Sequence, residues 1–238
     1  MALFSYIVAS DGGFAPNPYH GRCTLACCKP RVRGAARTGD WIAGLAPKAL
    51  GHRLVYAMRV DGTLSFREYW AAHPEKRPDF STLPGSLGDN AYRPLAGGGY
   101  RQIRSWHSFR DGPRAMPTAR EDAGSKAHDL SVDRVLVAGR FAYWGAAAAP
   151  LPEAWRKVLA VGRGHRRVGD ETTVRDWARF MDRMGQGLLG EPRHLPRTDL
   201  FGSAAGCRPC SAKNEYVVPA RRGAPCQSKA PPRRCSGR

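Results

Sequence analysis

The apolar segments of this chain are short, and their period changes from one to the next. LFSYIVA at 3–9 is β-branched and aromatic and is soon followed by Asp11, Gly12 and Gly13, the composition of a strand ended by a turn. RLVYAMRV at 53–60 alternates and stops at Asp61-Gly62. SFREYWAA at 65–72 instead carries Phe66, Tyr69 and Trp70 at the i, i+3, i+4 spacing of an amphipathic helix. Trp41–Leu45 reads as a strand leaving a Gly39-Asp40-Trp41 turn, VDRVLVA at 132–138 and RFAYW at 140–144 as strands about Gly139, and Val158–Val161 as a shorter one. Pro30 opens a short helix, where its missing N–H is harmless, that ends near Gly39. Thr173–Met184 is the clearest helix, with Thr173 and Asp176 as a capping box, Val174, Trp177, Met181 and Met184 on one face, and Gly185 and Gly187 beyond it. No repeat is visible. This order excludes a doubly wound parallel sheet. It predicts a compact α+β domain with a bent mixed sheet or open barrel flanked by short helices.

Residues 196–238 break the pattern. They are rich in Pro, Gly, Ser and Arg, show almost no apolar periodicity, and hold nine Lys/Arg against two Asp/Glu. Such a segment buries too little surface to fold alone. The expected division is a folded body over 1–195 and a disordered basic tail over 196–238. Cys207-x-x-Cys210, with Cys226 and Cys235, is the tail's candidate zinc set, but eight residues separate the second pair, where a zinc ribbon has two to four.

The formal net charge is +18, of which +7 lies in the tail. A surplus of that size selects polyanions: nucleic acid, then anionic membrane surfaces, then acidic proteins. A compositional bias towards Arg, Ala and Gly is the competing explanation. GAAAAP at 145–150 is the longest small-apolar run and cannot span a bilayer. MALFSYIVASDGG has no basic n-region, and the cysteine count is an odd seven. Both point to reduced thiols and a cytoplasmic location.

The stretch FAPNPYHGRCTLACCKP at 14–30 concentrates rigid and reactive groups. Pro16 and Pro18 fix the backbone around Asn17, which presents an amide fit for a base edge or, alternatively, caps its own turn. Cys23, Cys27 and Cys28 make a poor metal pattern and are the kind of residue often buried. Cys28 stands before a helix start and is the candidate nucleophile. Lys29 is an odd cation for that position unless an anion lies there. Farther on, Asp89 and Asn90 lie in a long polar stretch over 73–130 that also contains His107-Ser108 and His128-Asp129. His107 or His165, with Asp89 or Asp133, are the acid–base candidates, although no spacing matches a known triad. Gly162-Arg163-Gly164-His165-Arg166-Arg167 is either a phosphate-approach turn or a solvated basic one, and it lacks the Gly-Lys-Ser/Thr of a P-loop. Tyr19 and Trp106 are the aromatics placed for base stacking.

In order along residues 3–195, SYIVASDGGFAPNPYHGRCTLACCKPRVRGAARTGDWIAG, LVYAMRV–SFREYW, GSLGDN, HS, VDRVLV–YWG, GRGH and LLGEP resemble the nucleotide modification associated domain 2 family. The FAPNP, CTL, C-KP and GDW series is its specific part. The resemblance implies a role beside enzymes that make or handle modified nucleotides. A second, fold-level likeness is to the PUA-like group with its EVE and ASCH domains, several of which bind modified bases or RNA. The first expectation is therefore a nucleotide or modified-base binding module, lined by Asn17, Tyr19, Lys29, Asp89, Asn90, Trp106, Arg163 and His165. An enzyme acting on a nucleotide or nucleic-acid base, through Cys28, His107 or Asp133, is the alternative. A zinc-dependent or tail-driven interacting protein is the third. The partners implied are a nucleotide or nucleic acid and, through the family, nucleotide-modifying enzymes. The sequence names no cofactor.

Overall fold

A computed structural model describes residues 1–112 and 115–196. The strands are β1 (Leu3–Ile7), β2 (Cys23–Leu25), β3 (Trp41–Leu45), β4 (Leu54–Arg59), β5 (Gly62–Leu64), β6 (Tyr92–Pro94), β7 (Tyr100–Gln102), β8 (Val135–Ala138), β9 (Arg140–Tyr143), β10 (His165–Val168) and β11 (Gly187–Leu188). The helices are α1 (Pro30–Ala35), α2 (Phe66–Ala72), α3 (Leu83–Ser86), α4 (Ala123–Leu130), α5 (Glu153–Leu159) and α6 (Glu171–Asp182).

Six strands form a mixed sheet in the order β10-β1-β3-β4-β9-β11, with β1–β3 and β9–β11 parallel and the other pairs antiparallel. A three-stranded antiparallel sheet, β2-β8-β5, and the β6–β7 hairpin complete the strands. None of these sheets closes into a barrel. The α+β class with a mixed sheet and short flanking helices stands; of the two sheet forms expected, the mixed sheet is found and the barrel is not.

Alternation along the strands sorts side chains between two cores. Phe4, Tyr6, Ile42, Tyr56, Met58 and Tyr143 point to one face, where Cys23, Leu25, Val32 and Leu136 cover them. Leu3, Trp41, Ala43 and Ala57 point to the other, against Leu159 of α5 and Val174, Trp177 and Met181 of α6. A third cluster of Phe14, Cys27, Phe66, Tyr69, Tyr92 and Val135 lies beneath the functional loop.

Several local expectations need correction. Residues 158–161 do not form a strand: Trp155, Val158 and Leu159 fall at helical spacing in EAWRKVL, and Leu159 is buried. The basic GRGHRR segment ends in an edge strand, not in a phosphate turn before a helix. The cap of α6 is Asp170, whose carboxylate accepts the Thr173 amide, so the helix starts earlier than a Thr173 capping box implies. The capping box is found instead at α2, where Ser65 and Glu68 bond each other's backbone. The polar stretch 73–130 is not one loop, because α3, β6, β7 and α4 all lie within it.

Candidate functional site

Cys28 and Lys29 link β2 to α1 through two consecutive left-handed residues, with φ of 59° and 45°. Neither is glycine, so each position carries strain of about 1–2 kcal/mol. The surroundings pin the Cys28 peptide from both sides. Its N–H donates to Asp129 Oδ1 at 2.7 Å, and its carbonyl accepts from Arg33 Nε at 2.9 Å. Arg33 is fully buried and also donates to the carbonyls of Asp129, Val132 and Arg134. One guanidinium thereby ties α1, the end of α4 and the start of β8 to the strained turn.

The Cys28 sulfur lies 3.4 Å from His107 Nε2, and His107 Nδ1 lies 2.6 Å from Asp129 Oδ2. His107 sits in the turn after β7, held by the Gln102 side-chain amide, which donates to its carbonyl at 3.0 Å. The Phe14 ring packs 4.7 Å from the imidazole, centroid to centroid. Asp129 is on the last turn of α4 and also accepts the Tyr92 hydroxyl at 2.7 Å. The His107 side chain is 21% exposed and that of Asp129 is 0% exposed, so the site opens at the sulfur and imidazole and closes at the carboxylate.

Electrostatics follow from this packing. Burial alone would disfavour a charged imidazole. The hydrogen bonds to Asp129 and Cys28 outweigh it, and His107 is pushed up to about 10. Burial acts upward on Asp129, yet His107, the Cys28 amide and the Tyr92 hydroxyl hold it below its ordinary value. Both directions describe one ion pair, an imidazolium on a carboxylate, facing sulfur. The arrangement can hold a proton beside a thiol and return it to a leaving group.

A metal is the other use of such groups. A Cys27 sulfur, a His107 nitrogen and an Asp129 oxygen lie within 4.8 Å of one another. Each of these groups already has a protein partner: both Asp129 oxygens accept protein hydrogen bonds and His107 Nδ1 faces one of them. The Cys27 thiol contacts the Asp89 carbonyl, and burial pushes it well above the ordinary range. These residues therefore do not fit a metal without dismantling the network.

The other expected site residues are distributed differently. Asn17 is 1% exposed, and its amide is spent on the Gly13 and Leu87 carbonyls and on Lys76 Nζ. Asp89 is buried beneath it, accepting Thr24 and Tyr69 hydroxyls at 2.8 and 2.6 Å. Asn90 donates to the Tyr69 and His73 carbonyls. These three brace the loop from inside and present no edge to a ligand. Lys29 turns back to the Ile7 carbonyl, with Nζ 4.6 Å above the Tyr6 ring. Tyr19 is half-buried and its phenol is shifted upward by burial. Trp106 lies against Phe80 and donates to Ser86 Oγ at 3.4 Å. Arg163 is exposed, and His165 stays on edge strand β10, packed on Phe4. Asp133 accepts the Phe66 amide at the start of α2 and the Tyr100 hydroxyl, so it is a cap and Asp129 takes the place beside His107. Of the distant segments that carry expected site residues, 88–108 supplies His107 to the Cys28 cluster, while 162–165 supplies it no hydrogen-bond partner. Cys207, Cys210, Cys226 and Cys235 lie outside the described residues.

Among the described residues no helix is long and apolar enough to cross a membrane. No curated protein and no solved structure matches the chain. A family model described as nucleotide modification associated domain 2 matches residues 1–199, and the chain belongs to that family.

Proposed function

We propose that this protein is a thiol-dependent enzyme acting on an electrophilic carbon of a nucleotide or nucleic-acid base or of its substituent. Family membership associates the chain with nucleotide modification. The observation that carries the enzymatic reading is the unbroken Cys28–His107–Asp129 relay, 3.4 and 2.6 Å in its two links. Cys28 is the nucleophile, His107 the acid–base group, and Asp129 the positioning residue that fixes the imidazole with Nδ1–H towards itself.

In this mechanism the proton lost by the Cys28 thiol is held on His107 Nε2 as the sulfur adds to the carbon. His107 then gives that proton to the leaving oxygen or nitrogen as the bond to carbon breaks. Water or another acceptor adds to the thiol-bound intermediate, returns a proton to His107 and releases the sulfur. The Cys28 amide is committed to Asp129, so another donor must meet any developing oxyanion.

Nucleoside mass spectrometry of DNA and RNA from cells expressing the wild type or Cys28→Ser tests the proposal. A nucleoside that changes with the wild type and not with the variant supports it. An identical profile, with nucleotide binding retained in both, favours the binding-module reading.

A further inference from the structure

The six-stranded sheet has a basic rim along α5 and its β10 edge. A cleft of about 390 Å³ lies between the turn at Lys48–Leu50 and α5. Lys48, His52, Arg156 and Lys157 line it, and the sole carboxylate among the lining residues, Glu153, is paired with Lys157 at 2.8 Å. Edge strand β10 continues the charge. Arg166 pairs with Ser5 in register, and its guanidinium rests 3.3 Å from the Ala160 carbonyl at the end of α5. Its neighbours turn the other way, as alternation requires: Arg167 pairs with Phe4, and the His165 ring packs 6.1 Å from the Phe4 ring. Arg163, Arg166 and Arg167 are all exposed. Asp170 ends the run, occupied in capping α6.

We propose that the α5 cleft and β10 edge form a docking surface for the sugar–phosphate backbone of a polynucleotide. The cleft offers cations and, apart from the small His52 imidazole, no aromatic ring for stacking, so it reads phosphates and not bases. Because β10 turns cations to both faces of the sheet, the charged path bends around an edge. A flexible strand follows such a path, whereas a flat bilayer meets only one face. The inference rests on the proposed function only in taking a nucleotide-bearing molecule as the substrate, which it narrows to a polymer.

The test uses the full chain, a fluorescein-labelled mixed-sequence oligonucleotide, and anisotropy across a salt series. The rim variant carries Arg156→Gln, Arg166→Gln and Arg167→Gln. A control of equal charge carries Arg93→Gln, Arg101→Gln and Arg110→Gln. Losing three phosphate contacts to a single strand lowers the log–log salt slope by about 2.1, equivalent to about 18-fold in salt sensitivity over a fourfold salt change. The proposal expects this in the rim variant and not in the control. Equal slopes in both overturn it, as does rim-dependent binding to phosphatidylserine vesicles that excess oligonucleotide fails to displace. Iodoacetamide labelling of Cys28 is read in parallel. Rim-dependent binding with an inert Cys28 sinks the thiol chemistry and leaves the surface standing; the reverse result sinks the surface alone.

Discussion

Replacing Asp129 with Asn tests the site's electrostatics at one atom. The carboxylate accepts three donors: the Cys28 amide, the Tyr92 hydroxyl and His107 Nδ1–H. An amide has one accepting oxygen, so its NH2 must face either the Cys28 N–H or the Tyr92–His107 pair. His107 rises from 6.5 to about 10 in the folded protein, which is about 5 kcal/mol favouring the imidazolium at about 1.36 kcal/mol for each pH unit. Without the carboxylate, burial opposes the charge and only Cys28 still favours it. The His107 midpoint in Asp129→Asn should fall clearly below the wild-type value. Two-dimensional 1H–15N spectra of the imidazole nitrogens, recorded from pH 5 to pH 11, follow it directly. A midpoint that stays near 10 in the variant refutes the reasoning.

The same pair sets a stability window. The raised His107 contributes fully below its unfolded value of 6.5, and that contribution is lost as pH rises through about 10. Asp129 is lowered, so its share is present above 3.8 and is lost as pH falls through its folded value. Urea unfolding should therefore show the wild type losing stability between pH 6.5 and pH 10 by an amount that Asp129→Asn does not lose. Arg33→Leu should destabilise the fold by roughly 3–5 kcal/mol, since it strands four carbonyls and a strained turn, and urea melts check this. Asp133→Ala should cost about 1 kcal/mol through the lost α2 contact and leave Cys28 alkylation unchanged, which separates the cap from the relay. Gly88→Ala places a Cβ 2.4 Å from the Lys76 carbonyl oxygen, so backbone must shift, and calorimetry should show a markedly lower Tm.

β1, β3, β4, β8, β9 and the buried face of α6 were legible because their apolar periods were intact, whereas β10 read as a basic turn and the two- and three-residue strands β2, β5, β6 and β11 are too short to show a period. Cys28 and His107 were legible as chemistry, but their connection was not. Asp129 was visible only as the neighbour of His128. The helix that aims it inward, AGSKAHDL, has too few apolar residues to announce a helical period, and its signal is the Asp122 cap on Ser125. Asp133 competed on equal terms, since nothing local says that one carboxylate faces inward and the other caps a helix 67 residues earlier. Asn17 and Lys29 misled for a related reason. Proline-fixed backbone and an unusual cation look like a binding wall, yet here they pack the underside of the loop that presents Cys28.

The most direct measurement is the rate at which iodoacetamide labels Cys28 at pH 6, resolved by peptide mass spectrometry and compared with N-acetylcysteine. An ordinary thiol is only about 0.3% ionised at that pH. The account predicts that Cys28 reacts roughly tenfold faster or more than this reference, that buried Cys23 and Cys27 stay unlabelled in the native protein, and that His107→Asn removes the advantage. A Cys28 rate no greater than the reference, or one indifferent to His107→Asn, would contradict it.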